Sequence, residues 1–361
     1  MSWIKAAGAK ETYAPGDSLS EILVRYGIPT SEIVKLNANE NLFLSKSFQQ
    51  GLLKEASCRV DPRLYPSEDG RLESELGSYM DVDPESIILG NGSDQLIELL
   101  VCTLLKERDE VVAINPTFSM YRRAAEIRRV DYSSVDLNLD FSLDANRLLD
   151  AVTPKTRMMV ICNPNNPTGN QFNKEKIIHI METFDGILVL DEAYVEYANY
   201  SMARKAKCFS NVLILRTFSK AFGLAGIRLG FAVANTELAT AIKRHCQMPY
   251  AVSEISQEIG LHALRNRSTV MDSVLKTVET REWLYRKLNT MEGVKAFESD
   301  TNFLLFNTPR PSEEVYHDLL RQGVIIRRFG ELLGHENCLR VTVAPRMDLT
   351  RFLKALEEAL I

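Results

Sequence analysis

The sequence predicts an α/β fold in which helices cover both faces of a mostly parallel β-sheet, followed by a smaller α+β domain. Between about residues 86 and 234, short apolar runs alternate with amphipathic stretches of helix length. This alternation is typical of βαβ units. The runs are also continuous and rich in β-branched residues, as expected of strands that are buried on both faces.

The predicted elements follow in chain order. The strands are SIIL (86–89), EVVAI (110–114), RMMVIC (157–162), ILVLD (187–191), NVLIL (211–215) and LGFAVA (229–234). Helices between them are predicted at Ser93–Leu105, where Ser93 or Asp94 can cap the helix, and at Asn173–Phe184. After about Pro249, a long helical tract, several short strands and two further helices indicate the smaller α+β unit.

The length of 361 residues favours more than one domain. The first forty or so residues contain the loop-like segments YAPGD and LNANEN and have no obvious core of their own. We expect residues 1–42 to be an N-terminal arm that packs with the small domain. Residues 43–248 are then the large domain, and residues 249–361 are the small C-terminal domain.

Composition excludes several functional classes. A net charge of -5 and a pI near 5.7 give no electrostatic surface for nucleic acid. No stretch of about 18 apolar residues is present, so no membrane partner is expected. The six cysteines are widely spaced, which favours a reducing compartment, and we expect a cytoplasmic protein. The five histidines are not in paired spacings, so no metal site is expected.

Chemically capable side chains follow the predicted strands, where an open α/β sheet collects its ligands. They are Ser93 and Asp94 in GNGSDQ, Phe118 in NPTFSMY, Asn166 in NPNNPTG, Asp191 and Tyr194 in DEAY, and Thr217, Ser219, Lys220 and Arg228 in RTFSKAFGLAGIRLGF. Taken singly, each is equally well explained by a turn, by core packing or by surface charge. Taken together, they meet the needs of pyridoxal 5'-phosphate: an amine for its aldehyde, a carboxylate for its ring nitrogen, an aromatic ring for its face and donors for its phosphate.

The same residues carry a resemblance to the fold-type I pyridoxal-phosphate aminotransferases. The matching pieces occur in family order and span nearly the whole chain: TYAPGDSLSEIL, LNANEN, RLYPSEDG, GNGSDQLIELL, PTFSMY, CNPNNPTG, LDEAYVEY, RTFSKAFGLAGIRLGF, GVIIR and CLRVTVA. The resemblance implies the fold-type I architecture, pyridoxal 5'-phosphate as cofactor and a homodimer with shared active sites. It is closest to the subgroup that transfers the amino group of histidinol phosphate to 2-oxoglutarate in histidine biosynthesis.

The resemblance also implies a role for each matching residue. Lys220 is the Schiff-base lysine and proton shuttle, and Asp191 is the partner of the pyridinium nitrogen. Tyr194, a donor to the ring oxygen, is the third catalytic residue. The other cofactor contacts are Ser93, Asp94, Phe118, Asn166, Thr217, Ser219, Arg228 and, from the other subunit, Tyr65. The substrate-binding residues are Asn39, Arg340 as the carboxylate clamp, and Tyr13 and Arg327 for a distal phosphate.

Departures from the family pattern leave the substrate open. NENLFL lacks the proline and glycine that commonly follow NEN, and Phe118 stands where some members carry tyrosine. The pair Arg327 and Arg328 does not reveal which side chain faces the cleft. The alternatives are an aromatic-amino-acid aminotransferase and a phosphothreonine decarboxylase of cobalamin synthesis. A DNA-binding regulator on the same scaffold would need a basic helix-turn-helix, which the sequence lacks.

Overall fold

The computed structural model describes residues 19–361, so Tyr13 lies outside the described residues. The helices in this range are α1 (Leu19–Tyr26), α2 (Lys46–Ser57), α3 (Arg71–Met80), α4 (Ser93–Leu104), α5 (Met120–Ile127), α6 (Ala145–Asp150), α7 (Lys174–Thr183), α8 (Ala203–Ala206), α9 (Thr236–His245), α10 (Glu254–Arg265), α11 (Arg267–Leu288), α12 (Ser312–Arg321) and α13 (Arg346–Leu360). Short 3-10 helices lie at Thr30–Glu32, Pro84–Ser86, Val195–Tyr197 and Ala225–Ile227.

The strands within the same range form a main sheet, a smaller sheet and a two-stranded pair. They are β1 (Val34–Lys35), β2 (Ile87–Gly90), β3 (Glu110–Asn115), β4 (Asp131–Asp136), β5 (Thr156–Cys162), β6 (Ile187–Asp191), β7 (Val212–Thr217), β8 (Gly230–Val233), β9 (Lys295–Ala296), β10 (Phe303–Asn307), β11 (Val324–Ile325), β12 (Arg327–Leu332) and β13 (His335–Thr342).

The main sheet has the strand order β2-β8-β7-β6-β5-β3-β4. Strand β8 runs antiparallel to both of its neighbours, and the other neighbouring pairs are parallel. The mostly parallel sheet that the sequence predicted is therefore confirmed, and each of the six apolar runs forms a strand. Strand β4 was not predicted, because its sequence DYSSVD is polar and lies at an exposed edge of the sheet.

Both faces of the main sheet are buried, as its continuous apolar strands require. In β5, Met159 and Ile161 pack into one core, whereas Met158, Val160 and Cys162 pack into another. Helices α2, α3, α7 and α10 contribute to the first core, and helices α4, α5 and α9 contribute to the second. The fold class is α/β with helices on both faces, as predicted.

Two helix predictions can be compared directly with the structure. A helix was predicted from Asn173, and α7 confirms it: Asn173 is the cap residue and accepts a hydrogen bond from the backbone N–H of Lys176 (3.1 Å). The expectation that Ser93 or Asp94 caps α4 is wrong, because Gly92 occupies the cap position and provides no side chain. The first backbone N–H groups of α4 therefore remain available to a ligand.

The smaller body is built on the antiparallel sheet β12-β13-β10-β9. Helices α11, α12 and α13 share its core, in which Phe306 meets Phe352 edge to face. Strand β1 pairs with β11 and so lies beside this body, whereas α10 packs against α2 and α3 of the main body. The division of the chain at residues 42 and 248 stays a prediction.

Residues 37–41, which we call the crossing segment, connect the two bodies. The Asn39 backbone N–H donates to Thr342 Oγ1 (3.0 Å), and Asn302 Nδ2 donates to the Asn39 carbonyl (2.9 Å). On the other side, Asn41 Nδ2 donates to the carbonyl of Ala221 (2.7 Å), directly after Lys220. The crossing segment thus holds the smaller body against the loop that follows β7.

Candidate active site

A pocket opens where the carboxyl ends of the parallel strands meet the crossing segment and the smaller body. Because parallel strands end at the same edge, the residues after β5, β6 and β7 come together there. The pocket is lined by Asn37, Ala38, Asn39, Ser93, Asp94, Thr117, Phe118, Ser119, Cys162, Asn166, Pro167, Asp191, Ala193, Tyr194, Thr217, Ser219, Lys220, Ala225, Arg228, Arg327, Phe329 and Arg340.

Lys220 enters this pocket from the loop after β7. Its Nζ donates to the carbonyl of Ala38 (3.1 Å) and lies 5.5 Å from the centre of the Tyr194 ring. Burial, followed by the positive charge of Arg340, lowers the pKa of Lys220 from its ordinary value of 10.5 to about 8. A large part of the amine is therefore neutral and nucleophilic near pH 8.

Asp191 is the last residue of β6 and is only 2% exposed. Burial raises its pKa to about 6, although the Tyr121 hydroxyl donates to Oδ2 (2.7 Å) and the Ala193 N–H donates to Oδ1 (3.0 Å). A buried carboxylate of this kind is stabilised by a positive partner. The positively charged ring nitrogen of a ligand meets that need.

The start of α4 and the loop before β8 form an anion cradle. Gly92 has φ 82°, and a Cβ placed on it would lie 2.5 Å from Arg228 Nη2. A Cβ on Gly230 would lie 2.6 Å from the backbone nitrogen of Ser93. Glycine at both positions lets the Arg228 guanidinium and the helix N–H groups face the same space, as a phosphate requires. Arg228 also donates to Asp94 Oδ2 (2.9 Å).

Arg340 lies on β13 and is held between two aromatic rings. Its guanidinium carbon is 4.9 Å from the centre of the Phe303 ring and 5.5 Å from that of Phe329. Its Nη1 donates to Asn166 Oδ1, and its Nη2 donates to the carbonyl of Asn37 (2.9 Å). Because Asn166 Oδ1 accepts from Arg340, the amide nitrogen of Asn166 is the atom that can donate to a ligand.

The structure distinguishes the remaining substrate-site predictions. Arg327 lines the pocket, whereas Arg328 is exposed and pairs with Glu313 (3.2 Å), so the question about this doublet is resolved in favour of Arg327. Asn39 also lines the pocket and donates from Nδ2 to the Tyr194 hydroxyl (3.0 Å).

Tyr65 does not enter the pocket of its own chain. It is 80% exposed and stacks on Tyr250 with ring centres 4.8 Å apart. Its role stays a prediction, and so does the role of Tyr13, which lies outside the described residues.

Sequence reasoning missed several side chains at this site, and three of them bear on the predicted residues. The Tyr121 hydroxyl donates to Asp191, the Phe329 ring lies against the Arg340 guanidinium, and Cys162 lines the pocket. Phe118 lies before α5, so no helical spacing in the sequence linked Tyr121 to the pocket. Phe329 lies two residues after Arg327 on β12, and side chains two positions apart on a strand face the same side.

An amine, a buried carboxylate and an anion cradle at the carboxyl edge of a parallel sheet are typical of a pyridoxal-phosphate enzyme. Comparisons with known proteins agree. The sequence matches the family "Aminotransferase class I and II" over residues 31–357. It is 35% identical over 356 residues to the histidinol-phosphate aminotransferase of Methanocaldococcus jannaschii, covering 96% of this chain and 94% of that one. The chain belongs to the aminotransferase class I and II family.

Solved structures share the fold. The histidinol-phosphate aminotransferase of Sinorhizobium meliloti, in complex with pyridoxal-5'-phosphate, has a TM-score of 0.86 and 23% identity, covering 96% of this chain and 95% of that one. The L-threonine-O-3-phosphate decarboxylase of Porphyromonas gingivalis has a TM-score of 0.78 and 24% identity, covering 91% and 99%. At these identities the likeness establishes the fold alone.

Pyridoxal 5'-phosphate is the cofactor of this family and of this chain, and the residues present fit it. Lys220 offers an amine whose pKa is lowered to about 8, Asp191 a buried carboxylate whose pKa is raised to about 6, and Phe118 an aromatic ring at the pocket wall. The cradle free of Cβ atoms at Gly92 and Gly230 suits the phosphate. Among the described residues, no cluster of potential metal ligands and no helix able to cross a bilayer was found.

Lys220 should react with a small aldehyde at lower pH than an ordinary lysine, because only the neutral amine attacks. We expect reductive methylation of the cofactor-free full chain with formaldehyde, followed at Lys220 by mass spectrometry, to accelerate with pH through a midpoint near 8 and then level off. Arg340→Met removes a neighbouring positive charge and should raise that midpoint. A midpoint close to 10.5 in the unaltered chain would contradict the burial argument.

Gly230→Ala should weaken cofactor binding by about tenfold or more, since its Cβ would overlap the Ser93 nitrogen at 2.6 Å and push the cradle apart. The matched control is Gly226→Ala, whose Cβ would meet no atom of the described residues within 4 Å. Equilibrium dialysis of pyridoxal 5'-phosphate measures both. Equal affinities in the two variants would contradict the assignment of the anion cradle as the binding site of the cofactor phosphate.

Proposed function

We propose that the chain transfers the amino group of histidinol phosphate to 2-oxoglutarate with pyridoxal 5'-phosphate as cofactor. The observation that carries the proposal is the convergence of Lys220, Asp191 and Arg340 on one pocket, with Arg327 at its wall. The name of the 35% identical relative from M. jannaschii supports the same substrate.

The chain's own residues perform the proton transfer. When bound, pyridoxal 5'-phosphate supplies an aldehyde that condenses with amines and a positively charged ring that withdraws electrons from the adjacent carbon. Lys220 Nζ, with a pKa of about 8, would take the proton from the substrate carbon that bears the amino group and deliver it to the carbon that the cofactor aldehyde contributes. Asp191 would keep the ring nitrogen positive, and Asn166 and Tyr194 would donate to the ring oxygen.

The two substrates differ in what orients them. Glutamate and 2-oxoglutarate carry a carboxylate beside the reacting carbon, and Arg340 forms a fork suited to it. The Phe303 and Phe329 rings and Asn37 hold that fork in place, so little orientation is lost on binding. Histidinol phosphate has no such carboxylate, and Arg327, together with Tyr13, is the proposed contact for its phosphate.

The proposal includes a cytoplasmic homodimer. Tyr65 is exposed outside its own pocket and stacks on Tyr250, as expected of a side chain that reaches the cofactor phosphate of a second subunit. The six cysteines are free thiols, in keeping with a reducing compartment.

The alternatives have less support. The likeness to the P. gingivalis decarboxylase is at 24% identity and concerns the fold. An aromatic amino acid would bind Arg340 through its carboxylate, but it has no phosphate for Arg327 to bind. Both alternatives are distinguished by the same assay.

The cofactor-loaded protein should respond to histidinol phosphate and to glutamate with a change in its visible absorption band, and with kcat/KM for histidinol phosphate about tenfold or more above that for phenylalanine. Lys220→Ala should keep cofactor and lose turnover, because the proton carrier is gone. Carbon dioxide released from phosphothreonine without any 2-oxo acid would favour the decarboxylase instead.

Arg340→Ala should lower kcat/KM for glutamate by about 10- to 100-fold, the loss of a charge-assisted pair, and affect histidinol phosphate less. Arg327→Ala should lower kcat/KM more for histidinol phosphate than for glutamate. The control is Arg328→Ala, which removes an exposed guanidinium from the same strand as Arg327. Equal losses for both substrates in both variants would refute the division of labour.

A further inference from the structure

Asp191 accepts a hydrogen bond from Tyr121, a residue to which the proposed reaction assigns no role. The Tyr121 hydroxyl donates to Asp191 Oδ2 at 2.7 Å, and both residues are buried, with 1% and 2% exposure. Tyr121 comes from α5, which begins two residues after Phe118, and the two rings meet edge to face at 5.8 Å. One short segment therefore contacts both the cofactor pocket and its carboxylate.

The surroundings of Tyr121 fix it as a hydrogen-bond donor. Its ring packs among apolar side chains on the buried side of the sheet, including Ile97, Val160 and Val189. Burial and the nearby Asp191 charge raise the pKa of Tyr121 well above its ordinary value, so the hydroxyl keeps its proton at any working pH. A permanent donor against a carboxylate favours the charged form of that carboxylate.

The geometry around Asp191 shows how this donor can act. The Ala193 N–H holds Oδ1 and the Tyr121 hydroxyl holds Oδ2, so both oxygens are fixed. A carboxylate accepts at about four lone-pair sites, which leaves acceptor positions for a ligand. The other charged or titratable groups that influence Asp191 are Asp94, Lys220 and Cys162.

We propose that Tyr121 is a positioning residue that acts through Asp191, fixing the orientation and the negative charge of the carboxylate for the cofactor's ring nitrogen. The inference rests on the proposed role of Asp191. Phe118 and Tyr121 then form a single unit of the α5 segment, in which one ring forms the pocket wall and the other holds the acid.

The test compares Tyr121→Phe with the cofactor-loaded wild-type chain. The variant keeps the ring and loses one charge-assisted hydrogen bond, so we expect about tenfold weaker retention of pyridoxal 5'-phosphate in equilibrium dialysis. The pH at which the visible absorption band of the loaded protein is half changed should rise. A less positive ring withdraws less electron density from the Lys220 nitrogen, which then holds its proton to higher pH. A lower kcat with little change in KM should accompany both effects.

Controls separate this role from packing. Tyr132→Phe removes the hydroxyl of a half-buried tyrosine on edge strand β4, and should leave affinity and spectrum unchanged. The double variant Tyr121→Phe, Asp191→Asn should bind cofactor within about twofold of Asp191→Asn alone, because two residues that act as one unit are not additive.

The outcomes are distinct. Unchanged affinity and spectrum in Tyr121→Phe, or additive losses in the double variant, overturn the inference. Cofactor affinity in Asp191→Asn equal to that of the wild type overturns the role of Asp191 itself. Should Tyr121→Phe fail to fold, a crystal structure of the wild-type holoenzyme decides: a Tyr121 hydroxyl beyond hydrogen-bond distance of Asp191 contradicts the inference, and one within it supports the inference.

Discussion

The parallel pairing of β5, β6 and β7 is the constraint on which the site depends. In these ladders Cys162 lies beside Asp191, and Asp191 lies beside Leu215, two residues before the end of β7. Since the strands run in the same direction, Asn166, Asp191 and Lys220 all emerge at one edge without further guidance. The lysine loop leads into the antiparallel β8, whose first residue Gly230 pairs with Gly90 at the end of β2, so this loop lies beside the start of α4 and the anion cradle. The main sheet therefore places the amine, the buried carboxylate and the anion cradle, and the crossing segment and the smaller body complete the pocket.

Burial gives these side chains their chemistry. It moves the pKa of Asp191 up to about 6 and that of Lys220 down to about 8, so both groups titrate close to neutrality. Neither shift comes from one contact alone: carboxylates around Lys220 oppose the lowering, and the Tyr121 hydroxyl opposes the raising at Asp191. Arg340 contributes a fixed positive charge beside the lysine, and its aromatic neighbours hold that charge at the pocket rather than in solvent.

Much of the fold and most of the site could be predicted from the sequence, because apolar runs mark strands and parallel strands share an edge. The pocket contains all of the predicted residues except Tyr65 and the undescribed Tyr13. Strand β4 escaped prediction since its stability comes from pairing with β3 and not from apolar residues. The choice between Arg327 and Arg328 needed the register of β12, and Tyr121 was hidden because a tyrosine in a helix start reads as ordinary packing.

The crossing segment is a connection whose length matters as much as its composition. Most connections run over the surface and accept added or missing residues. Here Asn39 binds the smaller body through its backbone and Tyr194 through its side chain, Ala38 accepts from Lys220, and Asn41 binds the lysine loop. Inserting or deleting one residue would break these contacts together, so the length of this segment sets how the two bodies meet, and its asparagine side chains secure the contact.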